Sequence, residues 1–282
     1  MCNPTEHFER HSLQSIDGIS FKLKRAYDFN FLNEYGTVFR AYDDQDSGNI
    51  CFGTEKNGRR YFIKFAGAPT ERYNGDPADA IARLKAAVPV YSELHHENLI
   101  ELVDARAVGG GFAMVFKWAP GDCMGRMYPA AHQRFMQLPT RARLTVFRDI
   151  LNFFEYIAAQ SYVAIDFYDG SVMYDFESGR TTICDIDLFR KQPYTNDMGR
   201  MWGSSRFQSP EEFQLGVVID EVTNVYTVGA TAFALFGGYH RTREYWQLGD
   251  QPFEVATKAV SDARSQRQRS IRQLREEWET AL

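Results

Sequence analysis

One lysine and three aspartates are the residues of this chain best placed to do chemistry. Lys64 sits in Tyr61-Phe62-Ile63-Lys64-Phe65, between apolar neighbours. An ammonium in such a place needs a carboxylate or a ligand phosphate to offset its desolvation; the plainer reading is a strand-edge lysine pointing to water. Far downstream, Asp166 follows Val163-Ala164-Ile165, and Asp185-Ile186-Asp187 follows Ile183-Cys184. Carboxylates delivered at the ends of buried strands can serve as a general base and as ligands for a hard divalent cation. Each can equally be a turn-former closing a strand.

The elements that must carry these groups are legible in outline. Residues 37–42, 50–52 and 61–65 are β-prone. The turn 43–49 separates the first two, and Asn57-Gly58 marks a tight hairpin between the second and third. A helix is expected over 77–94, kinked or shortened by Pro89. Two more strands follow at 99–103 and 112–116, which makes five strands and one helix. After Pro120-Gly121 the character turns helical. Thr140 is expected to cap a long helix, short strands lie at 172–174 and 182–184, and helices return from Glu221 and over 265–281. Residues 21–24 alternate apolar and basic and are expected to add an edge strand.

Composition bounds the function. The chain has 282 residues, 44% hydrophobic and 24% charged, with a net charge of −5. That describes a folded protein of one or two domains and disfavours a nucleic-acid binder, which needs a cationic face. Cys2, Cys51, Cys123 and Cys184 form no CxxC pair, which points away from zinc and disulfides and toward a reducing cytoplasm. The first twenty residues hold no apolar run. The uncharged stretch 222–239 is broken by threonines and glycines and reads as a core helix, so no membrane insertion is expected.

Taken together, the order of these features resembles the protein-kinase-like fold, and most closely a divergent, eukaryotic-like Ser/Thr protein kinase of the type found in bacteria. Tyr61-Phe62-Ile63-Lys64 is similar to its Val-Ala-Ile-Lys strand, and Ala164-Ile165-Asp166 to His-Arg-Asp. Asp185-Ile186-Asp187 stands where Asp-Phe-Gly lies. Ser209-Pro210-Glu211 resembles Ala-Pro-Glu, and 224–229 resembles Asp-Val-Trp-Ser-Leu-Gly. His96-Glu97-Asn98-Leu99-Ile100 resembles the His-Pro-Asn-Ile stretch after the first helix. The likeness covers residues 31–282. It implies an α+β, two-lobe fold: an N-terminal extension over 1–30, an N-lobe over 31–119 with a five-stranded antiparallel sheet and one helix, and a mainly helical C-lobe over 120–282.

The resemblance also implies roles. Lys64 holds the α- and β-phosphates of ATP, Asp166 accepts the hydroxyl proton, and Asp185 binds Mg²⁺. Ser47, Gly48 and Asn49 cover the phosphates, although this loop has one glycine rather than three and Asp44 and Asp46 beside it. Phe116 takes the gatekeeper position, and the backbone of Lys117 to Ala119 meets adenine. Arg267 pairs with Glu211.

Several positions depart from the pattern. Ala87 stands where the first helix offers a glutamate, Ser171 replaces the asparagine metal ligand, and Tyr168 replaces a lysine. Asn224 replaces the aspartate that anchors the catalytic loop, and Ile165 replaces the arginine of His-Arg-Asp. Asp187 is expected either to supply the second metal contact that Ser171 supplies weakly, or to cap a helix or pair with Arg190. Cys184 reads as a packing residue, His95-His96 as a loop, and the arginines at 264, 269, 272 and 275 as a solvated helix face. The implied activity is ATP- and Mg²⁺-dependent phosphoryl transfer to a hydroxyl of a protein. The alternatives are a small-molecule phosphotransferase like aminoglycoside or choline kinases, favoured by Asp185-Ile186-Asp187, and a pseudokinase, favoured by Ala87, Ser171 and the glycine-poor loop.

Overall fold

The computed structural model describes residues 12–282, a mixed α+β chain with several antiparallel sheets. It divides into two compact units. One takes the described residues up to Ser92 together with Ile100–Ala119; the other takes Glu93–Leu99 and Pro120–Leu282. Part of the expected N-terminal extension, residues 1–11 with Cys2, lies outside the described residues.

The first unit opens with a hairpin of β1 (Ser12–Ile16) and β2 (Ile19–Leu23). Then come β3 (Thr37–Tyr42), β4 (Asn49–Lys56), β5 (Arg59–Ala66), helix α1 (Pro77–Glu93, whose last residue falls in the second unit), β6 (Leu102–Val108) and β7 (Gly111–Lys117). Five of these strands make one antiparallel sheet in the order β3-β4-β5-β7-β6. The β4–β5 turn closes on Asn57 and Gly58 with φ of 52° and 73°, the left-handed pair that a two-residue hairpin requires.

Alternation along β5 sends Ile63 and Phe65 to one face, where they are fully buried with Ile50, Phe52 and Val115. Phe21, Leu23, Phe29 and Phe31 join the same cluster, with Phe21 and Phe29 edge-on to Phe52. The strand expected at 21–24 forms as β2, paired with β1 in a two-stranded sheet of its own rather than in the five-stranded sheet, and it buries Phe21 and Leu23 in the core beside that sheet. Asp17 accepts the Val38 N–H at 2.7 Å and Asp43 the Lys22 N–H at 2.7 Å, which pins the hairpin.

Helix α1 runs unbroken past Pro89 to Glu93, contrary to the expected shortening. Pro89 and Lys85 are both exposed, so the Lys85 carbonyl that loses its N–H partner faces water. The strand expected at 99–103 begins instead at Leu102, and Leu99 forms a bridge to Ile183 within the second unit.

The second unit holds β8 (Asp122–Cys123), α2 (Pro129–Met136), α3 (Thr140–Ala159), β9 (Tyr162–Val163), β10 (Val172–Tyr174) and β11 (Thr181–Ile183). β12 (Arg190–Lys191), β13 (Tyr194–Thr195), β14 (Val218–Ile219), α4 (Glu221–Phe236), α5 (Asp250–Ala259) and α6 (Ile271–Ala281) complete it. Thr140 is the first helical residue of α3 rather than its cap; the cap position is Pro139, which has no side-chain oxygen to offer. Helix α4 is buried along nearly its whole length. Its Asp220 cap accepts the Val222 N–H, and a Cβ on Gly229 would lie 2.6 Å from that of Ala259, so only glycine lets α5 approach so closely. Among the described residues no helix is long and apolar enough to cross a membrane.

Glu211 and Arg267 form a two-point ion pair at 2.7 and 2.9 Å, both side chains almost fully buried. Arg264 adds a contact to Glu211 at 2.8 Å and grips both oxygens of Asp220. Arg264 is thus an anchor of the segment entering α4, not part of a solvated face. Arg275 also pairs, with Glu155 and Glu279. The last helix starts at Ile271 behind its Ser270 cap, rather than at residue 265.

Candidate functional site

The second unit gathers the acidic candidates. β9 is held by Asn224 of α4, whose amide donates to the Tyr162 carbonyl at 3.2 Å and accepts the Ala164 N–H at 2.8 Å. Asn224 is wholly buried, so this clamp sets where the chain leaves the strand. Two residues later Asp166 adopts φ of 64°, and across the unit Asp185, just past β11, adopts φ of 57°. Left-handed backbone is uncommon for residues other than glycine, and it gathers at functional sites and turns. Both predicted carboxylates therefore leave their strands through a sharp local turn.

Their charges converge on Tyr168. Burial first, then the charges of Asp185 and Asp166, raise its phenol above the ordinary tyrosine range, so it stays protonated and able to donate. Burial also pushes the Cys123 thiol up to about 11, with the charges of Asp169 and Asp185 adding to the effect. Cys123 and Cys184 contact the consecutive carbonyls of Gly170 and Ser171, at 3.3 and 3.5 Å.

Asp185 is exposed and Asp187 half-buried, and Ile186 between them is fully buried. Burying Ile186 anchors the segment that presents two hard oxygen donors, a set that suits Mg²⁺. Arg190 donates to the Asp187 backbone carbonyl at 3.4 Å. Among the described residues no group of three His, Cys, Asp or Glu is arranged to hold a metal. Mg²⁺ commonly uses one or two carboxylates and takes its other ligands from phosphates and water. Ser171 fits less well. It is wholly buried, its hydroxyl accepts the Tyr168 N–H at 3.4 Å, and its carbonyl accepts the Cys184 N–H at 2.9 Å.

Beside Asp166 lies Gly203, with φ of 133°; a Cβ there would stand 3.4 Å from the Asp166 carboxylate. Buried Gln208 donates to the carbonyls of Met201 at 2.9 Å and Trp202 at 3.1 Å, which holds this strip of backbone in place. The Met201 N–H reaches the Glu212 carbonyl at 2.8 Å. The Glu212 carboxylate accepts from the Ser209 N–H and hydroxyl at 2.7 and 2.9 Å. Burial outweighs those bonds, and with the adjacent Glu211 charge opposing Arg267 it raises the Glu212 pKa to about 7 from 4.5.

A carboxyl that binds its proton more tightly when folded stabilises the fold fully below its unfolded pKa. That stability is lost as pH rises toward the folded value. We expect about 3 kcal/mol of loss between pH 4.5 and 7 from this group alone. Glu212→Gln keeps both acceptor contacts without a charge to desolvate, so its urea midpoint changes less across that interval than the parent's.

In the first unit Lys64 is half-buried on β5, opposite Cys51 of β4 and Met114 of β7, on the face away from the aromatic core. Tyr91 of α1 meets Phe116 edge-on at 4.9 Å on this face. Ala87 is fully buried in α1. Lys64, Asp166, Asp185 and Asp187 all have interaction partners.

The loop expected to cover phosphates is less open than its sequence suggests. Gly48 and Asn49 are buried, and a Cβ on Gly48 would lie 2.8 Å from Ala80 and from the Tyr73 ring. Arg83 ties the Ser47 carbonyl to the Tyr73 hydroxyl at 2.9 and 3.0 Å. Asp44 does not stand as a bare charge, since it pairs with Arg72 at 2.5 Å. The Lys117 N–H is committed to the Glu101 carbonyl at 2.9 Å and the Trp118 N–H to that of Arg60 at 3.1 Å. Ala119 closes the unit.

The structure adds residues that local sequence did not single out. Asp169 is buried and takes both terminal nitrogens of Arg206 at 3.2 Å, the Tyr239 hydroxyl at 2.5 Å and the Arg126 N–H at 3.4 Å. Only contacts across 37 to 70 residues reveal that group, and no spacing rule reaches so far. The chain matches no protein-family model and no curated protein.

Proposed function

We propose that this chain is an ATP- and Mg²⁺-dependent phosphotransferase acting on a hydroxyl, with a serine or threonine of a protein as its main substrate. The observation that carries the reading is the pair Asp166 and Asp185. Both stand at left-handed turns after short buried strands, and both act on the same phenol. In the proposed reaction the bond from the γ-phosphorus to the ADP oxygen breaks and one to the substrate hydroxyl forms. Asp166 takes the hydroxyl proton, and Lys64 offsets phosphate charge. Asp185 and Asp187 would hold Mg²⁺, which neutralises charge on the phosphates when bound. Protonated Tyr168 donates toward the transferring group, and the backbone of Lys117 to Ala119 receives adenine. Ser47 to Asn49 lie over the phosphates in this reading, and Ser171 acts through the turn it stabilises.

Burial of Gly48 under Tyr73, with Asn49 buried next to it in the chain, favours a second reading, a pseudokinase that binds partners with weak or no turnover. One experiment separates the two. Melting is followed with ATP, with Mg²⁺ and with both, and radiolabelled phosphate is traced to a mixed protein substrate or to an amine and sugar panel. Phosphotransfer predicts Mg²⁺-dependent stabilisation by ATP and label on protein serine or threonine. Label on the small molecules reassigns the substrate, and neither shift nor label leaves the binding module.

A further inference from the structure

Around Tyr239 the second unit concentrates cations. The guanidinium carbons of Arg126 and Arg206 lie 5.1 and 4.9 Å from the Tyr239 ring centroid. The two like charges are therefore within about 10 Å of each other, and an anion beside them relieves the repulsion. Arg241 joins them by donating to the Arg206 carbonyl at 3.0 Å and the Tyr226 hydroxyl at 2.6 Å.

Among the described residues, the carboxylate bonded into this group is Asp169. It is buried, and both its oxygens are taken by Arg206 and Tyr239. Arg206 Nε donates to the Ser204 hydroxyl at 3.1 Å, and each terminal nitrogen carries a second N–H beyond its bond to Asp169. The Arg126 side chain is exposed, stacks on the ring, and has no carboxylate partner among the described residues. Of these three guanidiniums, that of Arg206 bonds Asp169, while Arg126 meets it through its backbone N–H and Arg241 bonds the Arg206 carbonyl and the Tyr226 hydroxyl. Planar guanidinium donors resting on an aromatic face are well suited to gripping carboxylate or phosphate oxygens.

Arg206 lies near the candidate general base along the chain from Gly203. Gly203 abuts the Asp166 carboxylate, and Arg206 follows three residues later in the same strip of chain. A three-residue strip spans at most about 10 Å, the reach of two or three residues of an extended peptide.

We propose that Arg126, with Arg206 and Arg241, binds an anionic side chain of a polypeptide substrate close to the hydroxyl presented to Asp166. The inference deepens the phosphotransferase reading and rests on it for the role of Asp166. It assigns the chain a preference for acidic substrates despite its own net charge of −5.

The test uses three serine peptides, flanked on both sides by neutral residues, by glutamates or by phosphoserines. Affinity is read by fluorescence anisotropy and transfer by radiolabel, for the parent chain and for Arg126→Gln. The acidic peptides should bind about tenfold more tightly than the neutral one, with a preference that shrinks as salt is raised. Arg126→Gln should bring that preference below about threefold. A stronger effect of phosphoserine than of glutamate identifies a phosphate as the occupant, and equal effects identify any carboxylate-sized anion. Equal affinity for all three peptides, or an intact preference in Arg126→Gln, overturns the inference. Transfer without acidic preference removes this inference alone; acidic preference in binding with no transfer to any peptide removes the phosphotransferase reading alone.

Discussion

In the phosphotransferase reading proposed above, Asp166→Asn lowers phosphoryl transfer by roughly 10²–10⁴-fold, the span lost when a positioned general base is removed. Asparagine is the informative replacement because it tolerates φ of 64°, whereas alanine would add backbone strain to the loss of the base. The variant should melt within a few degrees of the parent and still gain stability from ATP with Mg²⁺. Asp185→Asn should lose the Mg²⁺-dependent part of that gain, since it removes the exposed carboxylate expected to meet the metal. Radiolabel transfer and melting curves on the two proteins check both statements. Full transfer in Asp166→Asn would mean that the reacting hydroxyl lies elsewhere.

Arg267→Ala is expected to cost about 3 kcal/mol, at the low end of what breaking a buried ion pair usually costs. Glu211 loses the partner on both its oxygens, yet Arg264 remains 2.8 Å away to hold part of the charge. Burial alone would raise the Glu211 pKa, and Arg267 with Arg264 brings it below the ordinary range. Without Arg267 that balance fails, and the melting temperature should fall by roughly 10 °C. Arg264→Ala should cost less, because that side chain is partly solvated. A double variant, Arg267→Met with Glu211→Leu, should recover part of the loss, since neither charge is then left buried alone. Urea titrations of the four proteins measure the ordering, and equal losses for Arg264→Ala and Arg267→Ala would contradict it.

Tests that report on chemistry are distinct from tests that report on the fold. The ion pair of Glu211 and Arg267 lies in the anchoring network under α4, and its loss acts on stability. Asp166 and Asp185 sit at turns whose backbone is held by Asn224 and by the burial of Ile186, so their side chains can change while those anchors stay. Tyr168 belongs to both groups. Its ring packs over Gly170, where a Cβ would come within 2.3 Å, and its phenol carries the fields of the two acids.

Local sequence was enough wherever neighbouring residues decide the outcome. Asn57-Gly58 supplies two left-handed positions in a row, so the β4–β5 hairpin follows from the dipeptide. Alternation in 61–65 separates Lys64 from Ile63 and Phe65, whatever the rest of the chain does. An apolar run followed at once by Asp marked both Asp166 and Asp185 as strand-end acids. The uncharged, mostly apolar character of 222–236 marked α4 as a core helix, and the pairing of Glu211 with Arg267 was expected from the resemblance alone.

The tertiary structure decided what depends on partners far along the chain. Tyr73 and Ala80 close over Gly48, a contact from 25 and 32 residues along the chain that the loop's own sequence does not announce. Phe21 and Phe29 bury against Phe52, which makes the region after the first eleven residues part of the core rather than an appendage. Arg206 and Tyr239 converge on Asp169 from 37 and 70 residues away. A chain encodes turns and alternation through adjacent residues, because those are set by local sterics. Which charges and rings finally meet is set by packing, where many burial energies of similar size compete and only the whole fold determines the winner.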